Sequence, residues 1–310
     1  MINAVRNTVL AIANKNNYGY ISPQDFNLYC NQAQMDIFED YFYQYNNWVA
    51  RTNARTSGTG YADIVKNLEE VIDTFSVTSF LSQPDGPDTS NRYSLPSDYY
   101  LINKLYYYPN VLEEGDVTTV SASKLIDSNA NFSNVTVGSI VTNSTNNTET
   151  YVVNVVSNTE LDLATDIFTT LADEYFILQA DNVTEVDRVH QKKILLLTSS
   201  NLTAPTTQFP AYTMEGSIAT IYPSSIRQAD RIKAQYIRYP RNPNWTYLTT
   251  SGNDPIFNAG ASNYQDFELP ESDEPKLIAK ICQYIGVEIR ESDVLQFGLT
   301  QEAINTQETS

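Results

Sequence analysis

The hydrophobic period of this chain changes twice, and those changes limit the folds open to it. At the N-terminus the apolar residues recur at helical spacing. Ile2, Val5, Val9 and Ile12 share one face over residues 2–14. Ser22-Pro23-Gln24-Asp25 then reads as a helix start. Ser22 caps, Pro23 suits the first turn, and the acid three residues on favours the positive helix end. The helix that follows carries Phe26, Tyr29, Cys30, Ala33, Ile37, Phe38, Tyr41, Phe42, Tyr45 and Trp48. That stripe is broad enough to meet a core on one side and a partner on another. Beyond Ser57-Gly58-Thr59-Gly60, the residues Ile64, Val65, Leu68, Val71, Ile72 and Phe75 continue the helical spacing.

From Arg92 the pattern becomes that of strands. RYSLPSDYYLINKLYYYPN alternates around a Pro break, and β patterns return over 182–197, 217–222 and 231–239. The preceding QPDGPDTSN (83–91) is turn-rich and reads as a linker. Near the C-terminus Ser272 is placed to cap a helix with Asp273, Glu274 and Pro275 in its first turn. Leu277, Ile278, Ile281 and Ile285 form its apolar face, and Gly286 stands as its stop. The last residues, LTQEAINTQETS, read as a flexible polar arm.

Within the β region, residues 116–180 form a self-contained run. Short strands are predicted at 123–127, 139–143, 149–156, 160–163 and 175–178, separated by DSNANFSN, NSTNN and SN. LYYYP before it and VTEVDRV after it read as one sheet that this run interrupts, which is how an inserted domain looks in sequence. The expectation is therefore α+β. N- and C-terminal segments form a helical bundle, and a central antiparallel β region carries an inserted small β-barrel or sandwich. The boundaries are 1–82 for the N-terminal bundle, 92–115 with 181–270 for the central β domain, 116–180 for the insert, and 271–310 for the C-terminal helix and tail.

The formal net charge of −18 opposes any broad grip on nucleic-acid phosphates. No run of apolar residues is long enough to span a bilayer. Cys30 and Cys282 both fall in helical apolar patterns and read as buried thiols of a reducing compartment. Tyr, at 22 residues, supplies stiff amphipathic contact area suited to sheets and interfaces.

Motifs for chemistry are sparse. Asp127, Asn129 and Asn131 open a calcium-loop pattern, but Phe132 and Gly138 stand where such a loop needs Gly and Glu. A turn in which these side chains bond local amides fits better. His190, the one histidine, sits in a strand-like run beside Lys192 and Lys193, without the partners of a zinc site or a catalytic triad. Gly58-Thr59-Gly60 lacks the Lys of a phosphate loop. The pairs Glu69/Glu70 and Glu113/Glu114 read as solvated surface in so acidic a chain. No catalytic residue, cofactor or metal ligand emerges. A locally basic set, Arg227, Arg231, Lys233, Arg238 and Arg241, fits pairing with acidic patches on a neighbouring subunit.

Three dispersed elements carry a resemblance. They are Leu95-Pro96-Ser97-Asp98-Tyr99; Pro210, Tyr212, Gly216, Ile218 and Pro223; and the strand ending at Tyr236 and Pro240. Their order resembles head-to-tail connector proteins of short-tailed bacteriophages, the adaptor or ring proteins beneath the portal. MINAVRNTVLAIANKNNYGYISPQDFN and DFELPESDEPKLIAKICQYIGVEIRE look closer still to a ring protein of crAss-like phages. The insert resembles a small β module that recurs in phage virion proteins, through its K-L-I-D-S-x-A-N-F and V-G-x-I-V patterns. The resemblance implies a non-enzymatic virion protein of the neck or tail, assembled in the host bacterial cytoplasm. It implies a ring of about twelve identical copies closed by rotation, bound to the portal and to other tail proteins, with no membrane. Genomic DNA would pass through its channel without specific binding, past an acidic lining. Phe26, Tyr29, Phe38, Tyr41, Phe42, Tyr45 and Trp48 are the candidate portal or intersubunit contact, and the polar tail 300–310 a candidate arm. The competing expectation is a receptor- or carbohydrate-binding virion surface protein, with the Tyr-, Asn- and Thr-rich insert meeting the sugar.

Overall fold

The computed structural model describes residues 1–13, 21–54, 62–249, 252, 254–288, 296, 299 and 300, without the side chains of 48–54, 62–67, 287 and 288. Gly58-Thr59-Gly60 and tail residues 301–310 lie outside the described residues. In chain order, helices α1 (Ile2–Ala13), α2 (Pro23–Ala54) and α3 (Ala62–Asp73) come first. Strands β1 (Ser76–Phe80), β2 (Arg92–Ser94) and β3 (Tyr99–Tyr107) follow. Next are β4 (Val111–Asp116), β5 (Lys124–Ile126), β6 (Ile140–Asn143), β7 (Thr148–Ser157), β8 (Glu160–Leu163) and β9 (Glu174–Leu178). Then come β10 (Thr184–Arg188), helix α4 (Gln191–Thr198), β11 (Ala211–Glu215), β12 (Ile218–Tyr222) and β13 (Ile232–Arg238). Strands β14 (Tyr247–Thr249) and β15 (Pro255–Phe257) and helix α5 (Glu274–Glu288) complete the named elements. The class is α+β with a central β region, as the periodicity predicts.

The chain divides into two units, Met1–Phe75 with Tyr239–Ser310, and Ser76–Arg238. In the first, α5 packs on α1 and α2, and α3 packs on α2. The predicted start of α2 forms: the Asp25 amide donates to Ser22 Oγ at 3.1 Å, a cap worth about 1 kcal/mol. Ile2, Val5 and Val9 of α1, Phe26, Cys30, Ala33 and Phe38 of α2, and Leu277, Ile281, Cys282 and Ile285 of α5 are buried. Both thiols are free and buried, and desolvation pushes Cys282 up to about 12.

Three expectations about this unit are corrected. The sequence reading extends the β domain through residue 270, yet residues after 238 belong with the helices. Trp245 anchors them. Its indole donates to Asn3 Oδ1 at 3.1 Å, its amide donates to Asn27 Oδ1 at 2.8 Å, and the Arg6 guanidinium lies 3.9 Å over its ring. Tyr247 and Phe257 of the β14/β15 hairpin stack on it. Ser272 does not cap α5; the helix enters through a 3-10 turn over Glu271–Asp273. Gly286 does not stop it, because α5 runs on to Glu288. The packing of α5 on two helices outweighs a propensity penalty of about 1 kcal/mol.

The second unit holds two curled sheets. The host sheet has seven strands in the order β1-β13-β3-β10-β11-β12-β2. Its edges meet where the Ser94 amide donates to the Ser82 carbonyl at 2.8 Å, just past β1. Its core includes Leu81, Tyr93, Leu105, Tyr107, Val186, Tyr212, Ile221, Ile232 and Tyr236. β1 is a correction to the 1–82 helical boundary. SVTSF is β-branched and aromatic, and it pairs along β13. The predicted linker 83–91 is a built loop of this unit: Gln83 Nε2 donates to the Ser90 carbonyl at 2.6 Å, and the Ala229 amide donates to Asp88 Oδ1 at 2.7 Å.

The strand predicted over 182–197 ends at Arg188. Residues 191–198 form α4, with His190 as its extended N-cap residue. Topology explains the change. β10 and β11 are parallel neighbours, and parallel neighbours need a crossover rather than a hairpin. Lys, Ile and Leu in KKILLL accept a helical turn readily.

The inserted sheet interrupts the host between β3 and β10. It has six strands in the order β4-β9-β6-β7-β8-β5, every pairing antiparallel. The five predicted strands are all present, and β4 begins ahead of the expected boundary at 116. The sheet curls until Ile126 meets Thr119 just past β4. Leu125, Phe132, Val141, Leu161, Phe168, Tyr175 and Ile177 fill it. A small cluster of Phe80, Tyr108, Phe176 and Leu178 packs it against the host sheet.

Candidate functional site

Part of each sequence element that carried the resemblance, Leu95 to Tyr99, Gly216 and Tyr236, meets at one place in the host sheet. The Leu95 amide donates to the Ser217 carbonyl at 2.9 Å, and the Tyr99 hydroxyl to the Gly216 carbonyl at 3.3 Å. The Tyr236 hydroxyl donates to Asp98 Oδ1 at 3.1 Å. Gly216 is the first residue of the two-residue turn between β11 and β12, with φ +62, a conformation that costs glycine little. Leu95 and Tyr212 are buried, and the peptide between Tyr222 and Pro223 is cis. Burial first, then the negative charge and hydrogen bond of Asp98, push the Tyr236 hydroxyl up to about 12. The junction fastens β2, β3, β12 and β13 together. Its chemistry is that of a structural lock.

The residues of the aromatic stripe of α2 differ in how far they are buried. Phe26, Phe38 and Tyr41 are buried in their own unit. Phe38 meets Phe42 and Phe75 edge to face, at 5.1 and 5.0 Å between ring centres. Tyr29 stacks on Tyr284 of α5. The Tyr41 hydroxyl donates to Asp273, and burial followed by that carboxylate pushes it well above the ordinary tyrosine range. The Tyr45 hydroxyl donates to Glu69 of α3 at 3.2 Å. The Trp48 side chain lies outside the described residues. So Phe26, Phe38 and Tyr41 serve the core of their own unit, while Tyr29, Phe42 and Tyr45 are half-buried and keep part of their surface open. Helical period locates an apolar face but does not say what covers it.

The basic set is not one patch. Lys233 is buried: its ammonium lies 2.6 Å from Glu149 of the insert and 5.2 Å over the Phe80 ring. It clamps the insert to the host rather than reaching a neighbour. Arg241 belongs to the other unit, where its amide donates to Glu268 at 2.7 Å. Arg227 is exposed and Arg231 half-buried in the approach to β13, and Arg238 ends that strand opposite Tyr99.

The calcium-like run forms a local turn. Asp127 accepts from the Asn129 amide at 2.9 Å and from the Tyr175 hydroxyl at 2.8 Å, and Asn131 caps a short 3-10 turn through Ser133 N. Among the described residues no group of three or more His, Cys, Asp and Glu is placed to hold a metal ion. No helix among them is long and apolar enough to cross a membrane.

Two surface features escaped the sequence reading. One is an acidic cleft of about 240 Å³ lined by Glu114, Asp116, Ser144, Glu174, Tyr175 and Asp230. Burial raises the Asp230 carboxyl, Arg231 opposes the rise, and the charges of Asp88, Glu174 and Glu114 add to it. These acids come from β4, β9 and the loop before β13, so only the tertiary fold gathers them. The other is a set of exposed large apolar side chains. Leu195, Leu196, Leu202 and Phe209 project from the crossover, Tyr151 and Val153 from β7, and Leu248 and Ile256 face each other on the β14/β15 hairpin. Their signal in sequence was apolar residues without a consistent period. No protein-family model matches the chain, and no curated protein is significantly similar to it.

Proposed function

We propose that this chain is a subunit of an oligomeric ring in the neck or tail of a tailed phage, sited between portal and tail and forming a channel for DNA. The observation that carries the reading is the exposure of large apolar side chains at separate places, on α4, β7 and the β14/β15 hairpin. Monomeric soluble proteins keep such patches small, and a subunit held on several sides needs several of them. A ring also uses two different faces of each copy, repeated by rotation. The motif order described above supports a phage-connector reading, and Leu95, Asp98, Tyr99, Gly216 and Tyr236 of those motifs meet in the lock of the host sheet. The net charge of −18 fits a conduit that lets DNA slide without adhering. About twelve copies would match a portal of the same symmetry, with the insert extending the rim.

Negative-stain electron microscopy of the chain, alone and with its cognate portal, tests this. Rings seated on the portal are expected. A chain that never joins the portal, yet is retained by a glycan array, would overturn the reading in favour of a surface-binding protein.

A further inference from the structure

We infer that the crossover of residues 191–209 is a subunit-to-subunit knob, and that its occupant is the acidic surface of a second copy of this chain. The inference deepens the ring reading by naming one of its contacts. Three observations carry it.

The first is how little of the crossover faces its own subunit. In α4 only Ile194 is buried. Leu195 and Leu196 are 77% and 72% exposed, and Leu202 and Phe209 are 94% and 76% exposed. The parallel pairing of β10 and β11 demands a connection here, but not one that holds leucine and phenylalanine in water. A polar crossover would satisfy the topology equally well.

The second is order. The segment that presents these side chains is tied down by its own hydrogen bonds. The Thr206 and Phe209 amides donate to each other's carbonyls at 3.2 and 3.1 Å, the Ala204 amide donates to Ser200 O at 2.9 Å, and Thr203 Oγ1 donates to Leu197 O at 3.1 Å. A loop already fixed loses little conformational freedom when a partner covers it.

The third is charge. No Asp or Glu occurs between Asp187 and Glu215, the longest acid-free run in the chain. Arg188, Lys192 and Lys193 are all exposed at the base of the knob. The remainder of the chain carries the acidic excess, gathered in one place in the cleft of Glu114, Asp116, Glu174 and Asp230. A basic, apolar projection on an acidic body complements a further copy of that body. The described residues of its own unit leave it uncovered, and the contact we infer runs between copies. Knob and acceptor are different surfaces, so the contact is heterologous, the kind that closes into a ring or extends as a filament. Exposed lysines around an apolar centre also set register and speed encounter.

Sedimentation equilibrium of the full chain over a range of concentration and salt tests the inference. Wild type is expected to self-associate, more weakly as salt rises. Leu195→Ser with Leu196→Ser should raise the dissociation constant at least about tenfold. Lys192→Glu with Lys193→Glu should weaken association and flatten its salt dependence. All four side chains are exposed, so circular dichroism should be unchanged and a folding defect is separable. A wild-type chain that stays monomeric at every concentration overturns the inference, as does a leucine variant that associates like wild type. The ring reading fails separately. If the leucine variant forms rings on the portal like wild type, the ring stands and this contact falls. If the variant loses self-association while neither form binds the portal, the contact stands and the phage identity falls.

Discussion

The host sheet and the inserted sheet both curl until their edges meet, at Ser82 and Ser94 in one and at Thr119 and Ile126 in the other. Each is braced by a tyrosine hydroxyl donated to an aspartate: Tyr236 to Asp98 in the host, Tyr175 to Asp127 in the insert. The surroundings differ. Asp98 is exposed, so water can replace the tyrosine. Asp127 is buried, and its carboxylate also holds the Asn129 amide. The insert further draws its strands from one contiguous stretch, whereas the host joins β1 to β13 across the whole unit. The same bond therefore reinforces a sheet already held by long-range pairing in one case, and satisfies a buried carboxylate in the other.

Three tests press on that contrast. The largest effect is expected from Phe132→Ala, which empties a fully buried ring from the insert's core. A loss of about 3–5 kcal/mol is expected, seen as faster amide hydrogen exchange in β5 to β9 with host strands still protected. Host strands that lose protection equally would mean the two sheets unfold as one, and the contrast would collapse. Next comes the aspartate pair. Asp127→Ala strands a buried tyrosine hydroxyl and should cost about 1–3 kcal/mol in urea unfolding, with Asp98→Ala costing less. Equal costs would show that exposure at Asp98 does not matter.

The smallest effect concerns pH. The Tyr236 hydroxyl is held up to about 12 from an ordinary 10.0, by burial and then by Asp98. The folded state keeps that proton more tightly than the unfolded chain does. The resulting stabilisation is complete below pH 10 and is lost as pH rises from there through about 12. Tyrosinate absorbance should show this group titrating late, and Asp98→Asn should bring it earlier; an unchanged titration in that variant would remove Asp98 as a cause.

Much of this architecture was legible in residues. Ser22, Pro23 and Asp25 mark the start of α2 because a cap is local chemistry. The insert's strands could be read because turn clusters of Asn and Ser punctuate them. What stayed hidden depends on pairing or on covering. SVTSF becomes β1 only because β13 is there to receive it. KKILLL becomes helical only because β10 and β11 run parallel. Phe38 and Tyr41 belong to a stripe read as a portal or intersubunit contact, yet both are buried, Phe38 against Phe42 and Phe75 and Tyr41 on Asp273. The cleft acids sit far apart in the chain, so no spacing announces them. The lock formed by Asp98, Gly216 and Tyr236 was visible as motifs, but not as a single structural contact.

The attachment of the insert has a consequence for how such chains diverge. Its first and last strands, β4 and β9, are hydrogen-bonded neighbours, with Val111 opposite Leu178. The host strands on either side, β3 and β10, are themselves antiparallel neighbours, with Tyr107 opposite Thr184. Deleting everything between them would leave two strands that a short turn can join, with the host register intact. An ancestral lineage lacking the insert would carry a plain hairpin at this point. Acquiring the extra sheet would then be a single genetic splice at a hairpin tip, and exchanging it for another would leave the host sheet's own pairing untouched.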